Sequence, residues 1–533
     1  MRSCDYADDR VMYRTCRRKL WSMSGSAHPF LLVFFTASLQ CSSLQATIVS
    51  TAFGKSYQVN VNVAGQNIGG DAANEPSMCI DPINPNRMSI GWRQFDTTNS
   101  SFRQSGVAYT TNGGLNWTFP GSLEAGTFRS DPVLASDANG SFYYLGISND
   151  SNFSCDLLRS TNGGTNWQLV GPALGGDKDW MAIDTTTGPG RGNIYQVWSP
   201  LANVYNSTNF LLTRSTNGGL SWLPAVGLPH SPYFGTLDVG PEGELYIFGT
   251  SIDRPDFIVD RSTNAQNNLV KPTIDLTATV RLGGPQLLGD INPEGLLGQA
   301  WIAVDRSSGV TRGNVYVLCT VTNNPGNRCN VMFSRSTDRG QTWSAPLRIN
   351  DDSPTQNAYH WFGTLSVAPN GRVDACWNDT RHSTNNTRSE LYYAWSDDGG
   401  LTWAPNRALS PPFNHSLGYP QQNKMGDYIA MVSLNEGACI AYTATFNGEE
   451  DIYFVRAELP IAVTAEGVSN TVDITWNAVP GITYIVQGKA DLAMPWTQAM
   501  TLGTVVATGA TASIHDPVAG GGSPRFYRVV RQP

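Results

Sequence analysis

The sequence predicts an all-β fold, in which a large domain of repeated antiparallel sheets is followed by a small β-sandwich. Three observations predict it. An eight-residue turn segment that ends in Trp occurs five times, and a short apolar strand followed by a turn occurs seven times. The composition, with 53 Gly, 31 Pro and 15% charged residues, is typical of a chain with many turns and few surface helices.

The N-terminal segment predicts export. Basic residues at positions 14–19 precede an apolar run at 29–38, and small and polar residues continue to Ala46. Because about ten apolar residues are too few to anchor a chain in a bilayer, residues 1–46 are predicted to be a secretory signal peptide. The protein is expected to be secreted, periplasmic or at the cell surface, without a membrane span. Its net charge of -8 offers no basic surface to nucleic acid, so no nucleic-acid partner is expected.

Six of the nine cysteines lie after this segment, and one pair stands out. Cys319 and Cys329 flank a single polar loop, which predicts a local disulfide in a compartment that permits oxidation. The other four are interpreted as buried free thiols. Because the Cys and His spacing matches no zinc site, neither a metal nor another cofactor is predicted, and calcium stays open without a specific motif.

The five turn segments share the pattern Ser/Thr-x-Asn/Asp-x-Gly-x-x-Trp. In such a turn the Asn or Asp side chain bonds to nearby backbone, Gly takes a positive φ and Trp packs beside the turn, so the segment is interpreted as structural. A degenerate sixth copy begins at Ser262. The five full copies are residues 110–117, 160–167, 215–222, 336–343 and 396–403.

These segments, from TTNGGLNW to SDDGGLTW, resemble the Asp-box (BNR) repeats of the sialidase superfamily. The resemblance covers residues 47–458. It implies a β-propeller of four-stranded blades around a central channel, with each box between the third and fourth strands of a blade.

The second repeat gives an independent blade number. Each copy is interpreted as the innermost strand of a blade, so seven blades are favoured, and six remain the alternative if the first or fourth copy is a decorated loop. The last blade shows three strands, and residues 57–63 could supply its fourth strand from the N-terminal side. The copies start at Glu75, Asp131, Asp179, Phe234, Ala300, Phe362 and Asp427.

After Pro460 the boxes stop. Residues 461–533 contain alternating segments such as TVDITW, YIVQ and FYRVV, and they resemble a fibronectin type III or immunoglobulin-like β-sandwich. This segment is interpreted as a spacer or accessory module.

The leading residues of the inner strands are the predicted catalytic groups. Alignment of the copies places Glu75, Asp131, Asp179 and Asp427 at equivalent positions, which would gather four carboxylates at one mouth of the channel. Neighbouring carboxylates raise one another's pKa, so that one of them can keep a proton and act as the acid while another stays ionised and acts as the base. Two alternatives stay open, in which the carboxylates bind a cation or cap the entering loops. Tyr428 is added to the predicted catalytic residues because the resemblance to sialidases implies a tyrosine nucleophile.

Neighbours on a strand point to opposite faces, so Asp427 and Tyr428 cannot both face the channel. Tyr233 and Tyr359 precede other inner strands and are alternatives to Tyr428 as the nucleophile.

The predicted substrate-binding residues are Arg93, Arg254 and Arg381, with His360 and Trp361. The three arginines fall in loops between second and third strands, and sialidases hold the substrate carboxylate with three arginines. The Arg-Ile-Pro signature of that family is absent, and FRSDP stands at the nearest place. A structural pairing of arginine with a neighbouring aspartate is the alternative.

The resemblance and the acidic positions together predict a secreted, sialidase-like glycoside hydrolase that acts on terminal glycosidic bonds of a glycan or polysaccharide. Two alternatives stay open. One is a propeller that binds glycan or protein without catalysis. The other is a lyase of acidic polysaccharide, for which His360 or His382 could be the base. The sequence leaves the oligomeric state open.

Overall fold

The computed structural model describes residues 45–286, 289–322, 328–468, 471–478, 482–509, 511–516 and 526–532. These residues form β-strands, turns and one short 3₁₀ helix, Trp496–Gln498. Among them, no helix has the length and apolar character needed to cross a bilayer. Nearly all of the predicted signal peptide, residues 1–44, lies outside the described residues, as do parts of the C-terminal segment.

Seven antiparallel sheets follow one another within the described part of residues 45–459. Two strands come first, β1 (Ile48–Ser50) and β2 (Lys55–Gln58). Sheets 1 to 3 consist of β3 (Ala72–Ile80), β4 (Met88–Phe95) and β5 (Gln104–Thr110); β6 (Ser130–Ser136), β7 (Phe142–Ile147), β8 (Cys155–Ser160) and β9 (Gln168–Ala173); and β10 (Trp180–Ile183), β11 (Ile194–Val197), β12 (Phe210–Ser215) and β13 (Val226–Gly227).

Sheets 4 to 6 have four strands each, and sheet 7 is completed by β2 and β1. Their strands are β14 (Tyr233–Val239), β15 (Leu245–Thr250), β16 (Phe257–Ser262) and β17 (Leu276–Val280); β18 (Trp301–Val304), β19 (Val315–Val321), β20 (Asn330–Ser336) and β21 (Leu347–Arg348); β22 (His360–Val367), β23 (Val373–Asp379), β24 (Glu390–Ser396) and β25 (Arg407–Ala408); and β26 (Ala430–Leu434), β27 (Gly437–Ala444) and β28 (Asp451–Glu458).

The first strands of the seven sheets pack against one another in sequence. Each contacts the first strand of the next sheet, and β26 of sheet 7 contacts β3 of sheet 1. Each predicted inner strand lies at or directly before one of these first strands. We call the side on which the first strands begin the strand-start face, and the opposite side the strand-end face.

A strand from the N-terminal side joins sheet 7. Strand β2 pairs antiparallel with β28, with Tyr57 opposite Phe454. The prediction that this region supplies a strand is confirmed, but the strand ends at Gln58 instead of continuing to Val63. Beyond it, Asn60 bonds to β28 through its side chain, because its Oδ1 accepts the Ile452 N–H at 2.9 Å.

The five box turns form the same hydrogen bonds. In each, the hydroxyl of the first residue accepts the N–H of the fifth residue, a glycine, and the Asn or Asp Oδ1 accepts the N–H of the seventh. Each turn follows the third strand of its sheet. This local bonding explains why these residue types recur, and it supports the structural interpretation of the segment.

The predicted Cys319 to Cys329 disulfide is wrong. Both cysteines are free and buried. Val321 pairs with Asn330, so Cys329 would stand opposite Thr322. Three residues of extended strand separate Thr322 from Cys319, or about 10 Å, which exceeds the Cα separation that a disulfide spans. The loop residues 323–327 lie outside the described part.

The C-terminal segment forms two three-stranded sheets, which share one hydrophobic core built around Trp476 and Tyr484. The Arg531 guanidinium donates to the Glu436 carbonyl of the β26–β27 turn at 3.1 Å. The strands of one sheet are β29 (Val463–Val468), β30 (Thr471–Asn477) and β33 (Thr511–Asp516), and those of the other are β31 (Thr483–Lys489), β32 (Met500–Val506) and β34 (Phe526–Arg531).

Candidate functional site

The first strands begin with an unusual backbone conformation. Glu75, Asp131 and Lys178 have φ values of 54°, 49° and 54°, in the left-handed region that residues other than Gly and Asn rarely adopt. Phe234 and Phe362 share this conformation in sheets 4 and 6. In sheets 1, 2, 4 and 6 it coincides with a break in register between the first two strands. The conformation therefore belongs to the architecture, and the residue type decides the chemistry.

Lys178, rather than Asp179, occupies this position in sheet 3. Glu75, Asp131 and Lys178 each lie six residues before the aspartate that begins the next turn. The predicted equivalence of Asp179 with Glu75 and Asp131 is therefore wrong by one residue. A cationic side chain stands where the alignment placed a carboxylate.

Six buried side chains of alternating charge form one connected network, which we call the ionic chain. It contains three cationic side chains and three carboxyls. The consecutive nitrogen to oxygen distances are 3.1 Å for Arg93–Glu75, 3.4 Å for Glu75–Lys424, 2.7 Å for Lys424–Asp427, 2.5 Å for Asp427–Lys178 and 2.7 Å for Lys178–Asp131.

The ionic chain joins the strand-start ends of sheets 1, 2, 3 and 7. Its Arg93 and Glu75 end is almost fully buried, whereas the side chains of Lys178 and Lys424 are each 10% exposed. The Leu296 N–H, in the connection that leads to sheet 5, donates to Asp427 Oδ1 at 2.8 Å. A ligand on the strand-start face would reach the two lysines first.

The surroundings give the three carboxyls different proton affinities. Burial raises the pKa of Glu75 to about 7, although the Arg93 guanidinium opposes the shift. Burial acts in the same direction on Asp131 and Asp427, but Lys178 and the other cations of the chain outweigh it and hold both pKa values below the ordinary range. One carboxyl can therefore carry a proton near neutral pH while two stay ionised.

Asp179 lies outside the ionic chain. It is buried, and within the described residues no cation lies within ion-pair distance of its carboxyl. Burial, followed by the charge of Asp131, raises its pKa well above the ordinary value.

Tyr428 belongs to an aromatic cluster beneath the ionic chain. Trp180 packs edge to face on both Trp301 and Tyr428, with ring centroids 5.2 Å apart in each pair. The Tyr428 hydroxyl donates to the Pro132 carbonyl at 3.0 Å. Burial, then the charges of Glu75 and Asp131, raise its pKa well above 10. The phenol is therefore protonated and already bonded.

A cavity of about 750 Å³ lies among the first strands, and we call it the first-strand cavity. It runs from Trp180 and Trp301 to the turns on the strand-end face, such as that at Pro82. The first-strand cavity therefore opens toward the strand-end face, whereas the ionic chain lies at the strand-start ends. Its apolar lining includes Met78, Leu134, Met181, Leu237, Ile302 and Leu365.

The three predicted arginines have different environments. Arg93 is part of the ionic chain and also donates to Asn74 Oδ1 at 2.8 Å. Arg381 donates to Asp379, Asp351 and Asn406 at 2.9, 2.6 and 2.9 Å and stacks on Tyr392 at 4.2 Å. Arg254 is half exposed, 3.8 Å from Asp253. These contacts do not bring the three guanidinium groups together, and those of Arg381 match the structural alternative.

His360 and Trp361 are both fully buried. The His360 Nδ1 lies 2.8 Å from the Cys329 carbonyl, and its Nε2 lies 3.0 Å from Asp352 Oδ1. The Trp361 indole N–H donates to Ser389 Oγ at 3.0 Å. Both side chains connect neighbouring segments inside the protein.

Lys178 and Lys424 were missed by the sequence analysis. A signal for them exists, because only Lys55, Lys178, Lys271 and Lys424 occur between residues 47 and 458, and two of these four precede predicted site aspartates. In a domain so poor in lysine, a lysine beside an inner-strand aspartate is informative. Within the described residues, no group of three or more His, Cys, Asp or Glu side chains is arranged to hold a metal ion.

Comparisons with known proteins give weak likenesses only. No protein-family model and no curated protein matches the sequence. Similar solved structures include a protein of unknown function from Dyadobacter fermentans, with 13% identity, a TM-score of 0.43 and coverage of 78% of this chain and 99% of the other. The Hadza microbial sialidase Hz136 has 15% identity, a TM-score of 0.36 and coverage of 70% and 77%. The Trypanosoma rangeli sialidase has 12% identity and a TM-score of 0.37, and the match covers 91% of this chain and 87% of the other. Likenesses of this size assign neither a family nor an activity.

Proposed function

We propose that the protein is an exported glycoside hydrolase that acts on a glycan at the strand-start face of a seven-bladed β-propeller. Residues 1–46 direct export, residues 47–458 form the propeller and residues 461–533 form an accessory sandwich. The contacts from each first strand to the next, and from β26 back to β3, support ring closure. The ionic chain is the observation that carries the catalytic part of the proposal.

The chemistry follows from the unequal carboxyls. Hydrolysis of a glycosidic bond needs an acid that protonates the leaving oxygen and a carboxylate that stabilises positive charge on the sugar ring. Glu75, with its pKa near 7, is the proposed proton donor, and Asp131, held ionised by Lys178, is the proposed carboxylate. Lys424 and Lys178 position these groups and contact the substrate.

The test is hydrolysis of a panel of fluorogenic aryl glycosides that includes an α-sialoside. We expect turnover of at least one glycoside, and loss of about 100-fold or more in kcat for Glu75→Gln and Asp131→Asn. Because Glu75 must be protonated, kcat should fall as the pH rises above about 7. Arg281→Ala, at an exposed arginine, is the control. Full turnover by Glu75→Gln would refute the assigned role.

The alternative is glycan binding without catalysis. It is favoured by one observation, the pairing of every charge in the ionic chain within the protein. Retention of the wild type on a glycan array, with no turnover of any glycoside in the panel, would select this alternative. Fractionation of the producing cells tests export separately, and a cytoplasmic protein of full length would contradict it.

A further inference from the structure

A second cavity, of about 570 Å³, lies on the strand-start face, and we call it the side cavity. Its lining comes from the connections that lead into β18, β22 and β26, from the β23–β24 loop and from Arg328 in the β19–β20 loop. The volume falls within the range of sites for small molecules. The side cavity and the ionic chain share one segment, because Asn423 lines the cavity and the next residue is Lys424.

Two nearly buried polar side chains line the inner part of the side cavity. The Tyr359 hydroxyl donates to Asp290 Oδ2 at 2.7 Å. His415 lines the cavity, and its Nδ1 lies 3.1 Å from Ser389 Oγ. Burial lowers the pKa of His415 to about 4, so the ring is neutral at neutral pH. These groups present hydrogen-bonding atoms fixed by contacts within the protein.

The rest of the lining combines apolar surface, amides and balanced charge. Ile291 and the half-buried Tyr419 offer apolar surface, and the Asn385 amide lies at the edge. The charged groups are the Asp290 carboxylate and the exposed Arg328 guanidinium, which have opposite sign. A sugar unit matches this combination, because its C–H face packs on aromatic or apolar surface while its hydroxyls bond to amide, carboxylate and imidazole groups.

We infer that the side cavity binds an uncharged sugar unit of the glycan, as a subsite beside the ionic chain. The inference rests on the proposed function in that the ligand is taken to be a glycan. The inference adds two points to the proposed function. It specifies that the bound sugar unit is uncharged, and it places that unit at a site other than the one predicted from Arg93, Arg254 and Arg381. An anionic sugar would meet the Asp290 carboxylate, and a cationic one would meet Arg328.

The test measures binding of single sugars by calorimetry and saturation-transfer NMR. The probes are methyl glycosides of glucose, galactose, mannose and N-acetylglucosamine, with glucuronate and glucosamine as the charged counterparts. For ligands of this size we expect a Kd of about 1 mM for at least one neutral probe, and binding at least about tenfold weaker for the charged pair. Equal or tighter binding of a charged probe would overturn the inference.

Two variants locate the binding. Tyr419→Ala removes apolar surface, and Asn385→Trp fills the edge of the cavity without altering a buried residue. Both should weaken binding by about tenfold or more, whereas Tyr205→Ala, at a tyrosine in the β11–β12 loop, should leave the Kd unchanged. Thermal unfolding verifies that each variant is folded. Unchanged affinity in folded Asn385→Trp would place the binding elsewhere and refute the inference.

Measuring both hydrolysis and binding separates this inference from the proposed function. If no glycoside is hydrolysed but a neutral sugar binds and Asn385→Trp abolishes the binding, the subsite stands and the hydrolase proposal fails. If glycosides are hydrolysed but no neutral sugar binds at up to about 50 mM, fiftyfold above the expected Kd, the subsite is refuted and the hydrolase proposal stands.

Discussion

At the scale of the residue, surroundings decide what each carboxyl does. The sequence placed Glu75, Asp131 and Asp427 at one mouth, and the structure brings these three together. It could not indicate that Lys178 joins Asp131 to Asp427, because these three residues come from different sheets and meet only when the sheets pack. Asp179 was grouped with them because the alignment was offset by one residue in sheet 3, where Lys178 holds the equivalent position and its strand neighbour points to the opposite side.

The ionic chain should be costly to interrupt. Lys178→Met leaves Asp131 and Asp427 facing each other without their shared cation, and we expect the free energy of unfolding at pH 7 to fall by about 3–5 kcal/mol. Urea unfolding followed by fluorescence measures it. Lys271→Met, at an exposed lysine, should change stability by less than about 0.5 kcal/mol. Equal stability of the two variants would show that the network contributes nothing.

Arg381 is expected to matter for stability. Its guanidinium is held by three side-chain oxygens and an aromatic ring, so Arg381→Ala should lower the free energy of unfolding by about 2 kcal/mol or more. Arg254→Ala, at a half-exposed side chain with one distant partner, should have little effect. Chemical denaturation of both variants compares them. A stable Arg381→Ala variant would restore Arg381 as a candidate for substrate binding.

At the scale of the element, the sequence predicted what local chemistry determines. The box turns are specified by Ser/Thr, Asn/Asp and Gly within eight residues, and the seven inner strands by short apolar runs. The register between strands could not be predicted in this way, because it depends on the neighbouring strand. The bulges at the strand starts, and the end of β2 at Gln58, follow from pairing with distant segments and leave no local pattern.

The bulge in sheet 4 explains a requirement for glycine. A Cβ on Gly235 would lie 1.8 Å from the Phe248 carbonyl oxygen, which belongs to the paired backbone and cannot move freely. Gly235→Ala should therefore cost about 3 kcal/mol or more. Gly69→Ala is the matched control, because no atom lies within 4 Å of the added Cβ. Thermal unfolding of both variants gives the comparison, and equal midpoints would mean that the bulge relaxes without strain.

At the scale of the whole molecule, buried acids accumulate where β2 meets β28. Asn60 Nδ2 and Asn447 Nδ2 each donate to Asp451 at 2.5 Å, and the Gln94 amide donates to Asp71 at 2.8 Å. Burial raises the pKa of Asp71 to about 7 and that of Asp451 to about 8. Amide donors replace cations here, so these carboxyls hold protons that the unfolded chain would release.

This difference sets a pH dependence of stability. Because the folded state binds more protons than the unfolded chain between about pH 4 and 8, the free energy of unfolding should fall as the pH rises through this window, by up to about 1.4 kcal/mol per pH unit for each of the two carboxyls. The contribution is complete below the unfolded pKa and is lost above about 8. Asp451→Asn should flatten the slope in urea titrations at pH 5, 6 and 7. A slope unaltered by Asp451→Asn would contradict the assignment.

The pairing of β2 with β28 also constrains the order of folding. Asn60 and Asp451, which clamp this pairing, are 391 residues apart. Strand β2 is therefore synthesised long before β28, the strand with which it pairs. Closing so large a loop is slow. Until β28 has formed, β2 and the open edge of sheet 7 expose unpaired backbone groups, so the partly synthesised chain is most prone to aggregation before β28 is available to pair.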